Sequence, residues 1–120
     1  MAFTAEDLRL IDDTGEVRIE TRDGDRVYRT VIWVVVDDGE VFVRSVRGES
    51  GRWYQRALRD PNVALHVGGN RTAATAVPAT DPESVARTTE ALRSKYPKSQ
   101  SLNSMVRDEV LDTTLRLDPA

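Results

Sequence analysis

The polar chemistry of this sequence is concentrated in one stretch, Arg44-Ser45-Val46-Arg47-Gly48-Glu49-Ser50-Gly51-Arg52. It precedes a helical pattern in which Trp53, Tyr54, Ala57 and Leu58 share one face. Ser50 stands where an N-cap would, its hydroxyl available to a first-turn N–H. A helix start behind glycines exposes backbone N–H groups at the positive end of the helix dipole. Arginine forks match phosphate oxygens, and Arg29 can approach from a neighbouring strand. These residues could hold the phosphate of a nucleotide-like cofactor. Spacing alone leaves a second reading open, a solvated arginine surface over an ordinary loop, because glycine-rich loops recur in many folds.

Other chemistries are thinly supplied. There is no cysteine, hence no disulfide, thiolate ligand or cysteine nucleophile. His66 is the single histidine; it could ligate haem or a metal, but no histidine or carboxylate stands near it in sequence. Tyr28 could give a proton to a bound substrate or be a wall residue, and Trp33 could stack on a ring or fill a core or interface. The acid pairs Asp12-Asp13, Asp37-Asp38 and Asp108-Glu109 fall in or beside turns and suggest no acid/base dyad. No catalytic residue and no metal ligand is assigned, so a redox reaction here would need a borrowed cofactor.

The elements that must position the arginine loop are legible around it. Val31 to Val36 is an apolar, mostly β-branched run, a strand covered on both faces. Asp37-Asp38-Gly39 turns it back into Val41-Phe42-Val43. Asp60-Pro61 ends the helix, and Val63, Leu65 and Val67 alternate as the next strand. Upstream, Thr4 caps a helix over residues 5 to 13, and Glu16 to Arg22 alternates before the Asp23-Gly24-Asp25 turn into a long strand from Arg26 to Val36. Downstream, Arg71 to Val77 is a strand of small residues, and Asp81-Pro82-Glu83 opens a helix over 82 to 96. Residues 99 to 107 allow another short helix, and residues 111 to 117 alternate as a closing strand. The expected fold is α+β, a small six-stranded, mainly antiparallel barrel with flanking helices.

At 120 residues the chain reads as one domain spanning 1–120. Its net charge of −3 argues against a nucleic-acid partner. No apolar run reaches membrane-spanning length, and the acidic N-terminus lacks a signal-peptide pattern, so a cytoplasmic protein with no membrane partner is expected. The two-sided apolar run at Val31–Val36 is more surface than a monomer of this length would cover, which predicts a homodimer.

The order of these motifs resembles the FMN- and deazaflavin-binding split β-barrel superfamily, with its pyridoxamine-phosphate oxidase-like proteins and deazaflavin-dependent nitroreductases. Arg29-Thr30-Val31 is similar to that group's Arg-x-Val strand, and Ser45-Val46-Arg47-Gly48 to its Ser-x-Lys/Arg-Gly phosphate motif. Trp53-Tyr54, Leu58 and Asp60-Pro61-Asn62-Val63 resemble the nitroreductase branch, as does a basic residue, Arg71, at the start of the following strand. The likeness covers roughly residues 15 to 97. It departs at Arg22-Asp23-Gly24-Asp25-Arg26, which replaces a basic turn and would repel a polyanionic deazaflavin tail. The resemblance implies FMN or a deazaflavin held by Arg29, Thr30, Val31, Ser45, Arg47, Gly48, Arg52 and Trp53. It also implies an oxidoreductase acting on a small organic substrate. The alternative is a non-catalytic dimeric barrel that binds a flavin-like ligand or has lost it.

Overall fold

The computed structural model describes residues 2–120. Its sheet contains β1 (Glu16–Asp23), β2 (Arg26–Trp33), β3 (Val35–Asp37), β4 (Glu40–Val43), β5 (Asn62–Val67), β6 (Asn70–Pro78) and β7 (Leu115–Pro119). They lie in the order β2-β1-β5-β6-β7-β4-β3, and every neighbouring pair is antiparallel. Five helices flank this curled sheet: α1 (Ala5–Asp13), α2 (Arg52–Arg59), α3 (Pro82–Lys95), α4 (Leu102–Val106) and α5 (Asp108–Leu111). The fold is α+β, a half-barrel closed on one side.

The sequence predicts six strands, and the sheet has seven because the strand expected over Arg26–Val36 breaks at Val34. Val34 is fully buried, and its backbone is taken by α3 instead of by a neighbouring strand. Its carbonyl accepts from Lys95 Nζ at 2.8 Å and from the Tyr96 hydroxyl at 3.2 Å. The chain thus leaves the β1 edge of the sheet at Trp33 and rejoins it at Val35, on the opposite edge. This break is the split in the barrel.

The apolar alternation fills the interior. Val17 and Ile19 of β1, Val63, Leu65 and Val67 of β5, Val41 and Val43 of β4, and Leu115 and Leu117 of β7 meet Trp53, Tyr54 and Ala57 of α2. Leu58, expected on that buried face, is instead 47% exposed. On the outside, Val35, Phe42, Leu92 and Met105 pack together under α3 and α4. Val31 corrects the expectation of a run covered on both faces: it is 54% exposed, on the free edge strand β2. The closing strand starts at Leu115 rather than at residue 111. Residues 108–111 form α5 instead, where Thr113 and Thr114 return their hydroxyls to the carbonyls of Val110 and Leu111 and turn the chain.

Candidate functional site

A cavity of about 630 Å³ opens between the β2 edge, the loop after β4, the start of α2 and α4. Its wall includes Thr30 and Val31 of β2, Ser45, Arg47, and Arg52 and Trp53 of α2. The structure thus brings six of the eight candidate residues together. It places the other two elsewhere. Arg29 stands opposite Glu20 in the β1–β2 register, on the face of β2 away from Tyr28 and Thr30, and does not line the cavity. Gly48 lies behind the loop at φ +66°, where a Cβ would come within 3.2 Å of the Glu109 carbonyl.

The loop is held from behind by the segment between α4 and β7. The Ser45 N–H donates to Thr113 Oγ1 at 3.1 Å, and Arg107 donates to the Val46 carbonyl at 2.7 Å. Arg44 is withdrawn from the phosphate-sized loop. It is 2% exposed and donates to Thr114 Oγ1, the Met105 carbonyl and the Val85 carbonyl at 2.8, 3.1 and 2.8 Å. It has no carboxylate partner among the described residues, and burial pushes its guanidinium down to about 10. It is a buried bolt joining β4 to α3, α4 and the start of β7, not a hand held out to a ligand.

The front of the loop is arranged differently. Ser50 closes a 3-10 turn and donates its hydroxyl back to the Arg47 carbonyl, so it does not cap α2. The N-cap is Gly51, without any side-chain cap. The first-turn N–H groups of such a helix lack internal acceptors. Ser45 Oγ is packed against Gly51, at the spot a Cβ there would have to occupy, and is buried with no hydrogen-bond partner. An orphaned buried hydroxyl costs about 1–3 kcal/mol until something pairs with it. Arg47 and Arg52 are exposed beside it. Sequence reasoning passed over two further residues. Gly51 is the cap because nothing larger fits against Ser45, and Arg56 follows Arg52 by one helical turn. Arg56 donates to Thr21 Oγ1 at 2.8 Å and lies 4.0 Å above the Tyr28 ring, all on the cavity side. The i, i+4 spacing of Arg52 and Arg56 was the available signal.

Farther along β2, Trp33 lines the same cavity and stacks on Tyr96 of α3, centroids 3.9 Å apart and planes 6° apart. Glu16, its cross-strand partner, and Met105 also line the wall.

His66 and Arg71 belong to the other face of the sheet. His66 Nε2 is 2.8 Å from Glu20 Oε1, and Arg71 bonds both Glu20 oxygens at 3.2 and 2.9 Å. These bonds hold the Glu20 carboxyl down at about 2, Arg71 contributing most and His66 next, against the opposing effect of burial. No group of histidines and acids that could hold a metal occurs among the described residues. No helix among them is long and apolar enough to cross a membrane.

The family model described as "Uncharacterized protein conserved in bacteria (DUF2255)" matches residues 7–117. The chain belongs to this family. No curated protein matches the DUF2255 chain significantly. Among solved structures it is similar to a candidate pyridoxamine 5′-phosphate oxidase from Listeria innocua, with TM-score 0.68 and 13% identity over 93% of this chain and 89% of that one. It is also similar to a NimC/NimA family protein from Clostridium acetobutylicum, with TM-score 0.67 and 15% identity over 94% and 78%. An F420-H2-dependent reductase matches with TM-score 0.64 and 14% identity over 87% and 94%. At such identities the likeness is one of fold: this DUF2255 chain shares the fold of these proteins.

Proposed function

We propose that this protein holds a phosphate-bearing flavin-type cofactor, FMN or a deazaflavin, and serves as an oxidoreductase on a small organic substrate. One observation carries the reading: the buried, unpartnered Ser45 hydroxyl beside the uncapped start of α2, in a cavity whose rim bears Arg47 and Arg52. A phosphate there satisfies the hydroxyl, the free N–H groups and the helix dipole together. The cavity, at about 630 Å³, is within the size range of small-molecule sites. Solved structures of this fold include an F420-H2-dependent reductase and a candidate pyridoxamine 5′-phosphate oxidase, which agrees with the reading.

Bound there, such a cofactor supplies hydride transfer. The chain's part is to bind and orient. Ser45 donates to a phosphate oxygen, Arg47 and Arg52 add charge from the solvent side, and Gly51 leaves the room. Thr30, Val31 and Trp53 form the wall along which a flat ring lies. Arg29 acts at a distance, from the outer face of β2. The working unit is a homodimer that covers Val27 and Val31, each half-exposed on the edge strand.

The test is titration with FMN and separately with a deazaflavin, followed by cofactor fluorescence, in the wild type and in Arg47→Ala. Saturable binding weakened at least about tenfold in Arg47→Ala supports the site. Absence of binding to either cofactor overturns it. A non-catalytic carrier is the second reading, favoured by the absence of any histidine or cysteine from the cavity wall, where Tyr28 under Arg56 is the one phenol. Turnover of a reduced cofactor with an electron acceptor excludes that reading.

A further inference from the structure

The cavity is chemically two-ended. Arg56 stands over Tyr28 at one end, whereas Trp33 lies five residues further along β2, about 16 Å at strand rise. Beside Trp33 the wall carries Glu16 and Met105. We infer that the Trp33 end is a substrate subsite for a flat, uncharged aromatic ring carrying an N–H donor, the ring stacked on Trp33 and the donor turned to Glu16. The inference rests on the cofactor reading only in calling this ligand the substrate.

The geometry favours such a ring. Tyr96 backs one face of the Trp33 indole in parallel contact. Tyr96 is itself fixed through its hydroxyl, which bonds the backbone of Val34 and Gly15. A platform held from behind loses little freedom when a second ring stacks on it, and offset stacking rewards aromatic over saturated rings. Trp33 is half-buried and lines the cavity. Glu16, directly across from Trp33 in the register, has no cationic partner within 4 Å among the described residues. Its carboxylate accepts from a donor and repels an anion. Two cations packed behind this end, Arg44 and Lys95, are already engaged. Arg44 is bound to three neutral oxygens, and Lys95, 5.5 Å from the Tyr96 ring, gives its ammonium to the carbonyls of Ile11 and Val34.

Both tryptophans of the chain line this cavity, so Trp53→Phe leaves Trp33 as the only indole reporter. Three probes of similar size are titrated, without FMN in Trp53→Phe by fluorescence and with FMN in the unaltered protein by ligand-observed NMR: nicotinamide, its anionic analogue nicotinate, and the saturated cyclohexanecarboxamide. Expected is saturable quenching by nicotinamide at unchanged fluorescence lifetime, about tenfold weaker binding of nicotinate, and no quenching by the saturated amide. Glu16→Gln brings nicotinate to within about threefold of nicotinamide. Ligand-observed NMR on the unaltered protein reads the same order if Trp53→Phe does not fold. Purely collisional quenching in Trp53→Phe with no saturable binding to the FMN-loaded unaltered protein, equal binding of nicotinate and nicotinamide by the wild type, or a preference unmoved by Glu16→Gln overturns the inference. Arg47→Ala separates the two claims, since it weakens FMN and leaves nicotinamide unaffected; FMN failing to bind while nicotinamide binds removes the cofactor reading alone.

Discussion

Ser45 and Gly51 make opposite demands on the fold and on a ligand. In the free protein the Ser45 hydroxyl is buried and bonded to nothing, so Ser45→Ala removes a liability. Its thermal stability should stay within about 0.5 kcal/mol of wild type or rise, while FMN affinity falls at least about tenfold. Gly51→Ala puts a methyl group into Ser45 Oγ and should lower both, by calorimetry and by titration. A phosphate site elsewhere would leave FMN binding untouched in Ser45→Ala. At this scale the sequence was informative where chemistry is local. Ser45, Arg47, Arg52 and Trp53 lie within nine residues and converge on one cavity. Arg29 stands two residues before Val31 on the same side of β2 yet lies outside the cavity wall, which spacing along the strand could not reveal. Arg44 looks like Arg47 in sequence, and only the carbonyls of Val85 and Met105, some 41 and 61 residues away, turn it into a structural bolt.

Among the elements, β1 carries an acid that two neighbouring strands, β5 and β6, cover with their side chains. Glu20 is 4% exposed, roofed by His66 and Arg71. Its carboxyl is lowered from an ordinary 4.5 to about 2, so the folded state favours the ionised form. The stability it contributes is full above about pH 4.5 and is lost as pH falls from there toward 2. The amount is about 3 kcal/mol at most. Glu20→Gln should therefore be less stable than wild type at pH 7, and the two should converge in denaturant titrations as pH drops through that window. A constant difference down to pH 2 would mean that the pairing with Arg71 contributes nothing. The alternation of Glu16 to Arg22 announced a strand with one wet face but not this roof, since Arg71 arrives from β6. The strand break at Val34 was equally hidden, because the apolar pattern continues through it and the cause, Lys95 and Tyr96, sits on α3.

For the whole molecule, the half-exposed Val27 and Val31 on a free edge strand lead to an association prediction. Light scattering should give twice 13.4 kDa for the wild type and 13.4 kDa for Val31→Asp, with far-UV circular dichroism unchanged. A wild type that is monomeric at micromolar concentration would refute the shared interface. The barrel class, the strand–loop–helix unit and its arginine loop could be read from sequence because each depends on neighbours. Strand order and the closing segment could not, because β7 inserts between β6 and β4 from the far end of the chain.

The pairing of β1 has one more consequence. It pairs with β2 along its whole length but with β5 only from Arg18 to Glu20. Residues 21–28 are therefore the tip of a two-stranded ribbon, and such ribbons are marginal without a third strand. Arg56 fastens that tip to α2 through Thr21 and Tyr28. Arg56 is thus the side chain that ties this ribbon to the cavity wall. In Arg56→Ala the amides of residues 21–28 should exchange with deuterium faster than they do in the wild type, while those of β5 keep their protection.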